Sequence, residues 1–432
     1  MTRVRTPVAM AVALAWSFVV AHAQVPGLAA GAPLTWPEIR ARCEANNLTM
    51  QAGRLGIEEA RASEVTADLR PNPQVSLSVD QFRLVGKATD PFQNLTMVAS
   101  ISYLRERQGK RELRLTSAKG ATAIAESTQA DLVRNLMFSL RGAFVQTLQA
   151  KAFQALAHDD LANYDQVLAL GRARLQAGDI AQVDLDRLQL QRVQYEADVE
   201  TSAINLRTAK IQLLQLLNDA TPVDQVDVTG AYDFAEPTPT LDAIRQTALN
   251  TRPDLKAARQ AVDKATTDHR LAVANGSVDP TLGLDVGHAV PPEALSFNPP
   301  LSTWIGASGS VPFRLFDRNQ GEKARTEVDI TRNQRLVDAA RLQVLSDVDS
   351  AYASVMSTVA LLRPYRATYL PLAARVRETV TSSYQRGGAS LLEFLQAEQD
   401  DRSVHITYVN LTAAFLNAVN QLNFAVGREV IQ

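Results

Sequence analysis

Apolar and polar residues alternate with a period of two in four short segments of this chain, and follow helical spacing over most of the rest. In the first segment Val75, Leu77 and Val79 alternate with Gln74, Ser76, Ser78 and Asp80. In the second, Leu95, Met97, Ala99, Ile101 and Tyr103 interleave with Asn94, Thr96, Ser100 and Ser102. The third sets Leu282, Leu284 and Val286 between Thr281, Gly283 and Asp285. The fourth sets Ile305, Ala307, Val311 and Phe313 among the small residues Gly306, Ser308 and Ser310. Period two predicts strands, at about 73–83, 93–104, 280–289 and 302–313. Each is about ten residues, the length a tilted strand needs to cross a bilayer. The links 84–92 and 290–300 hold Gly86, Asp90 and Pro91, then Pro291, Pro292, Pro299 and Pro300, and read as turns or exposed loops.

Helix is predicted from Leu34 to about Leu69 and from Leu241 to about Ala274, closed by Pro71 and Pro73 and by Pro280. Longer helices are predicted at about 107–177, 181–217, 318–385 and 389–426. The first of these contains no proline, and up to about seventy residues of helix would reach roughly 105 Å, more than a single globular core requires. Pro364 and Pro371 fall inside the third and should kink it. Leu185, Leu188, Val193, Val199, Ile204, Leu206, Leu213 and Leu217 recur at coiled-coil spacing, which predicts a packing seam along the helix at 181–217.

The order helix, two strands, long helix, long helix occurs twice, and the chain matches itself at a shift of roughly 205 to 212 residues. Gln176 to Asp184 aligns with Gln385 to Glu393, Ala143-Phe144 with Ala351-Tyr352, Pro73 to Leu77 with Pro280 to Leu284, and Gln108-Gly109 with Gln320-Gly321. The expected organisation is a leader at 1–23, a first repeat at 24–230 and a second at 231–432.

The leader changes the compartment. Arg3 and Arg5, the apolar run Val8 to Val20, and Ala21-His22-Ala23 read as a cleavable secretory signal peptide. Past it no run of about eighteen uncharged apolar residues occurs, so any membrane crossing must be made by strands. With 44 basic and 46 acidic residues the chain has no electrostatic case for nucleic acid. The single cysteine, Cys43, excludes an intramolecular disulfide framework and lies away from the cleavage point, where a lipoprotein would carry its acylated cysteine.

Four strands cannot close a barrel, and open edges are not tolerated in lipid, so other copies must complete one. Three copies would supply twelve strands and twelve long helices. The alternative is a soluble periplasmic coiled coil, structural or adaptor-like, with a small four-stranded sheet.

The duplicated helix, hairpin, helix, helix order resembles the outer-membrane efflux proteins typified by TolC, over nearly all of the mature chain. The sharpest local match is Val311-Pro-Phe-Arg-Leu-Phe316-Asp-Arg-Asn-Gln-Gly321, which looks like the strand-to-helix junction of the cobalt, zinc and cadmium resistance branch. The resemblance implies a mainly α fold with a membrane β-barrel portion: a homotrimer whose twelve-stranded barrel in outer-membrane lipid continues as a long α-helical coiled-coil barrel. It implies a passive exit duct, served by a periplasmic adaptor and an inner-membrane pump of the resistance-nodulation-division class, for heavy-metal cations or alternatively for organic compounds.

It also nominates residues. The turns at Gly178-Asp179 and Gly387-Gly388, with Ser390, are similar to the periplasmic end that meets the adaptor. Glu393 matches a carboxylate that constricts the tunnel mouth, and the repeat makes Asp184 its equivalent, with Asp186 beside it. Three such carboxylates about one axis would favour cations and, by mutual repulsion, raise the pKa of some of them. The family's second gate carboxylate falls at Gln396 and its inter-repeat arginine at Ala389, while Tyr384 keeps an aromatic that could supply a substitute hydrogen bond. Each of these has a plain alternative, a solvated helix surface or a chain reversal.

No phosphate loop, His-Glu-x-x-His or Gly-x-Ser-x-Gly motif is present, so no catalytic or cofactor-binding residues are expected. His158, His269, His288 and His405 lack paired ligand spacing, and no metal site is expected.

Overall fold

The computed structural model describes residues 33–80, 95–234, 240–289 and 303–431. The expected leader, both strand links and the strand ends at 81–83, 93–94 and 302 lie outside the described residues.

Each short helical segment is two helices rather than one. Helices α1 (Trp36–Asn46) and α2 (Leu48–Asp68) break at Asn47, whose extended backbone frees its side chain to cap α2 by accepting from the Met50 N–H at 3.0 Å. Helices α5 (Leu241–Thr251) and α6 (Pro253–Asn275) break at Arg252, which the following proline holds out of the helical region.

Strands β1 (Gln74–Asp80), β2 (Thr96–Leu104), β3 (Thr281–Ala289) and β4 (Thr303–Ser310) form one antiparallel sheet in the order β1-β2-β3-β4. The expectation that β4 continues through Val311 and Phe313 is corrected: it stops at Ser310, ahead of Pro312, which has no N–H for a ladder. Directly paired residues share a face. One face carries Val75, Leu77 and Val79, then Met97, Ala99 and Ile101, then Leu284 and Val286, then Ile305 and Ala307. The other carries rows such as Ser76, Ser100, Asp285 and Gly306, and Gln74, Ser102, Gly283 and Ser308. In β2 and β3 most apolar positions, Met97, Ile101, Leu284 and Val286 among them, are exposed, whereas Ser100, Ser102 and Asp285 are half covered, the reverse of a globular sheet.

Below the sheet run α3 (Lys110–Ala177) and α4 (Gln182–Leu217), then α7 (Gln320–Pro364), a π-helical turn at Tyr365–Tyr369, α8 (Leu370–Gln385) and α9 (Leu391–Val426). The two largest hydrophobic cores, one per repeat, lie about thirty residues along α3 and α7 from the sheet, where the short helices pack against the long ones. Ile39, Cys43 and Met50 pack with Leu140, Phe144, Leu213 and Leu217 in the first. Ile244, Ala248 and Leu255 pack with Val348, Leu422 and Val426 in the second. Cys43 therefore fills the first-repeat counterpart of Ala248, a small core position; burial pushes its thiol pKa up, away from reactivity.

The α4 seam differs from its expected form. Leu185, Leu188, Leu206, Leu213 and Leu217 are buried as expected, together with Tyr195, Ser202 and Ala209, while Val193 and Ile204 are exposed. The seam keeps strict heptad spacing through small and aromatic residues, leaving the branched pair on a second stripe. Gly171 lets α3 approach closely there, since a Cβ would come within 2.6 Å of Leu188 Cδ1.

Candidate functional site

The far ends of the helical hairpins carry most of the nominated residues, and the two turns close by the same device. At the first, Gly178 has φ +81°, its N–H bonds Leu175 O at 3.0 Å and the Asp179 N–H bonds Arg174 O at 2.9 Å. At the second, Gly387 has φ +78°, its N–H bonds Tyr384 O at 3.1 Å and the Gly388 N–H bonds Ser383 O at 2.9 Å. These are paired Schellman closures, which need a left-handed residue and recruit glycine. Gly178, Asp179, Gly387, Gly388 and Ser390 are all exposed.

Asp184 and Glu393 occupy the third position of α4 and α9 respectively, as the repeat expects, but in different settings. Glu393 closes a capping box: its carboxylate accepts from the Ser390 N–H at 2.7 Å and from the Ser390 hydroxyl at 2.8 Å, and its own N–H bonds Ser390 Oγ at 3.3 Å. Within the protomer the Ser390 backbone and side-chain hydrogen bonds hold the Glu393 carboxyl below its usual range. Ala181, ahead of α4, has no side chain to cap with. Asp184 is half-buried, 3.9 Å from Arg187, while exposed Asp186 accepts from Gln182 and exposed Gln396 donates to Asp400.

Tyr384 does not make the substitute hydrogen bond. It is 2% exposed, its hydroxyl has no partner, and its ring stacks on Phe394 at 5.0 Å. The inter-repeat contact comes from Arg174 on the first repeat, whose guanidinium lies 4.7 Å from the Tyr384 ring centre and donates to Tyr384 O at 3.0 Å.

Another of the contacts between the repeats, absent from the expectations, runs the other way. Arg402 on α9 pairs with Asp198 on α4, lies 3.2 Å from Asp160 on α3, and sits 5.0 Å from the Tyr195 ring centre. Arg402, Asp160 and Tyr195, with Arg377, Glu398, buried Asp401 and His405, line a cavity of about 200 Å³ between the hairpins. Arg377 Nε approaches Asp401 Oδ2 at 3.2 Å, while Asp401 Oδ1 has no hydrogen bond. Burial raises the pKa of both Asp160 and Glu398, more than their arginine neighbours lower it. The cluster joins residues about two hundred positions apart, and no local pattern marks it. The Ser390-x-x-Glu393 capping signal, by contrast, is readable in one segment.

Among the described residues no helix is long and apolar enough to cross a membrane, and no group of three or more His, Cys, Asp or Glu is arranged to hold a metal ion. The membrane-compatible surface is the sheet, apolar on its exposed face and open at both edges, β1 and β4.

Two stretches of the chain, 40–219 and 244–428, match the family model described as outer membrane efflux protein. The chain is similar to the cobalt-zinc-cadmium resistance protein CzcC of Cupriavidus metallidurans, with 24% identity over 99% of this chain and 100% of that protein. It is also similar to the pyoverdine export outer membrane protein OpmQ of Pseudomonas aeruginosa, with 23% identity over 88% of this chain and 82% of that protein. In structure it is similar to CusC, at a TM-score of 0.74 with 20% identity over 90% of this chain and 91% of that one. Against VceC of Vibrio cholerae the TM-score is 0.73 with 16% identity over 91% and 96% of the two chains. With a sheet of inverted polarity above paired helical hairpins, and family matches falling one on each half, the chain belongs to the outer membrane efflux protein family.

Proposed function

We propose that three copies of this chain assemble into a passive exit duct of a tripartite efflux system. The observation that carries this is the inverted sheet: Leu77, Leu284 and Ile305 stand 74%, 61% and 81% exposed on one face, and among the described residues neither edge strand has a further partner. In lipid that face is favourable and the edges are not, so sister chains close them, and twelve strands make a barrel. The half-covered polar face then lines water. Exposed Val193 and Ile204 on α4, and Val328, Leu336 and Leu342 on α7, supply apolar stripes for the neighbouring protomers.

The chain reaches the outer membrane through a cleavable leader at 1–23, and its two repeats, 24–230 and 231–432, each contribute a strand pair and a helical hairpin. The hairpin tips project into the periplasm. Gly178, Asp179, Gly387, Gly388 and Ser390 meet the helical hairpins of a periplasmic adaptor, which couples the duct to a resistance-nodulation-division pump in the inner membrane. Asp184, Asp186, Glu393 and Gln396 face the narrowed mouth, and Tyr384 braces it from within. The cargo is a heavy-metal cation, supported by the full-length match to CzcC and the likeness to CusC. Export of organic compounds is the second reading, supported by the match to OpmQ.

The test is single-channel conductance in planar bilayers. Asp184→Ala with Glu393→Ala should raise conductance, while Ser390→Ala, which breaks the cap but keeps the charge, should not raise it to the same level. Unchanged conductance in the double variant removes the carboxylates from the gate. Loss of cobalt, zinc or cadmium resistance on deletion of the chain would favour the metal cargo, and unchanged metal tolerance would favour the organic one.

A further inference from the structure

The polar face of the sheet carries one aromatic side chain among the described residues, and it is seated on two glycines. Trp304 on β4 pairs with Gly287 on β3, and Gly306 follows Trp304 on the same face. A Cβ on Gly287 would overlap the indole, and one on Gly306 would lie 2.9 Å from its Cζ3. The ring therefore lies along the sheet, covering glycine backbone, an arrangement that protects strand glycines. Gly287 is buried beneath it, while Trp304 itself keeps 40% exposure. A membrane-interface tryptophan would be placed on the lipid-facing side. Trp304 is on the opposite one, in the row Ser78, Val98, Gly287, Trp304.

We infer that Trp304 lines the pore, and that the Gly287 and Gly306 seat sets the bore at this level by holding the indole flat. The inference rests on the closed barrel proposed above. Twelve strands about 4.8 Å apart and tilted about 40° enclose a ring of backbone roughly 24 Å across. Three indoles laid on that wall leave the passage open, and three raised into it would fill much of the width. A side chain at Gly287 takes the space the ring now occupies and forces it inward.

Two measurements test this. In a Trp36→Phe background Trp304 is the remaining tryptophan of the mature chain, and its fluorescence should be quenched by aqueous caesium and not by brominated lipid. Quenching by brominated lipid overturns the inference, and this readout needs no change at the glycines. In planar bilayers Gly287→Val should lower conductance at least about twofold, as narrowing of a pore requires. Adding Trp304→Ala should recover it. A double variant that stays low overturns the seat. Failure of the wild-type protein to form channels would instead sink the barrel itself, whereas intact channels with a lipid-quenched Trp304 sink only this inference.

Discussion

Helix α3 runs 68 residues without interruption to its turn, whereas its second-repeat counterpart is divided into α7, a π turn at Tyr365–Tyr369 and α8. The cause is local. Pro364 and Pro371 each lack an N–H, and between them the ladder slips to a longer bond, Leu370 N–H to Tyr365 O. The turns differ in the opposite sense: the unbroken hairpin enters α4 uncapped at Ala181, and the broken one enters α9 through the Ser390 and Glu393 box. One hairpin is continuous with a loose tip, the other interrupted with a fastened tip. Arg174 and Arg402, reaching in opposite directions, tie the two together.

The largest effect is expected where the halves are joined. Arg402→Ala strands Asp160 and Asp198 in a partly buried site and should cost about 3 kcal/mol, read by chemical denaturation in detergent. Arg402→Met with Asp160→Asn and Asp198→Asn should recover most of that loss. Full stability in the single variant would show that the hairpins do not depend on this tie.

Removing the interruption comes next. Pro364→Ala with Pro371→Ala restores two backbone donors and should stabilise the second hairpin by about 1 kcal/mol or more. The tips should also shift, seen as a changed distance between spin labels at Gln176 and Gln385 in a Cys43→Ala background. An unchanged distance would mean that tertiary packing, not proline, sets the bend.

The caps should respond by about 1 kcal/mol in opposite directions, Ser390→Ala losing stability and Ala181→Ser gaining it, measured by thermal melting. Equal responses of the same sign would erase the contrast between the tips.

The smallest effect is a pH dependence. Burial raises the Glu398 and Asp160 pKa values, so the folded chain binds these protons more tightly than the unfolded one. Their contribution favours folding below the ordinary carboxyl range and is lost as pH rises through the raised values. Glu398→Gln should therefore stabilise at neutral pH, and the gain should vanish on acidification. A gain independent of pH would place its origin elsewhere.

Much of this architecture was legible because it follows local periods and breakers. Alternation at Val75 to Val79 and at Leu282 to Val286 marked strands, and the absence of proline through α3 marked an unusually long helix. Proline marked the position of the break near Pro364, though not its π geometry. What escaped depends on context: Val193 and Ile204 look like seam residues until Tyr195 and Ala209 take the heptad positions. Glu393 is the exception, since its capping box with Ser390 is written in one short segment. The Arg402 cluster needs both repeats docked before its charges meet, so no window of sequence contains it.

The apolar ribbon on the outside of a four-stranded sheet, with polar rows behind it, makes sense when sister chains close it in lipid. Light scattering of the protein extracted from outer membranes tests this most directly. A particle with the protein mass of three mature chains is predicted, and a water-soluble periplasmic monomer would contradict it.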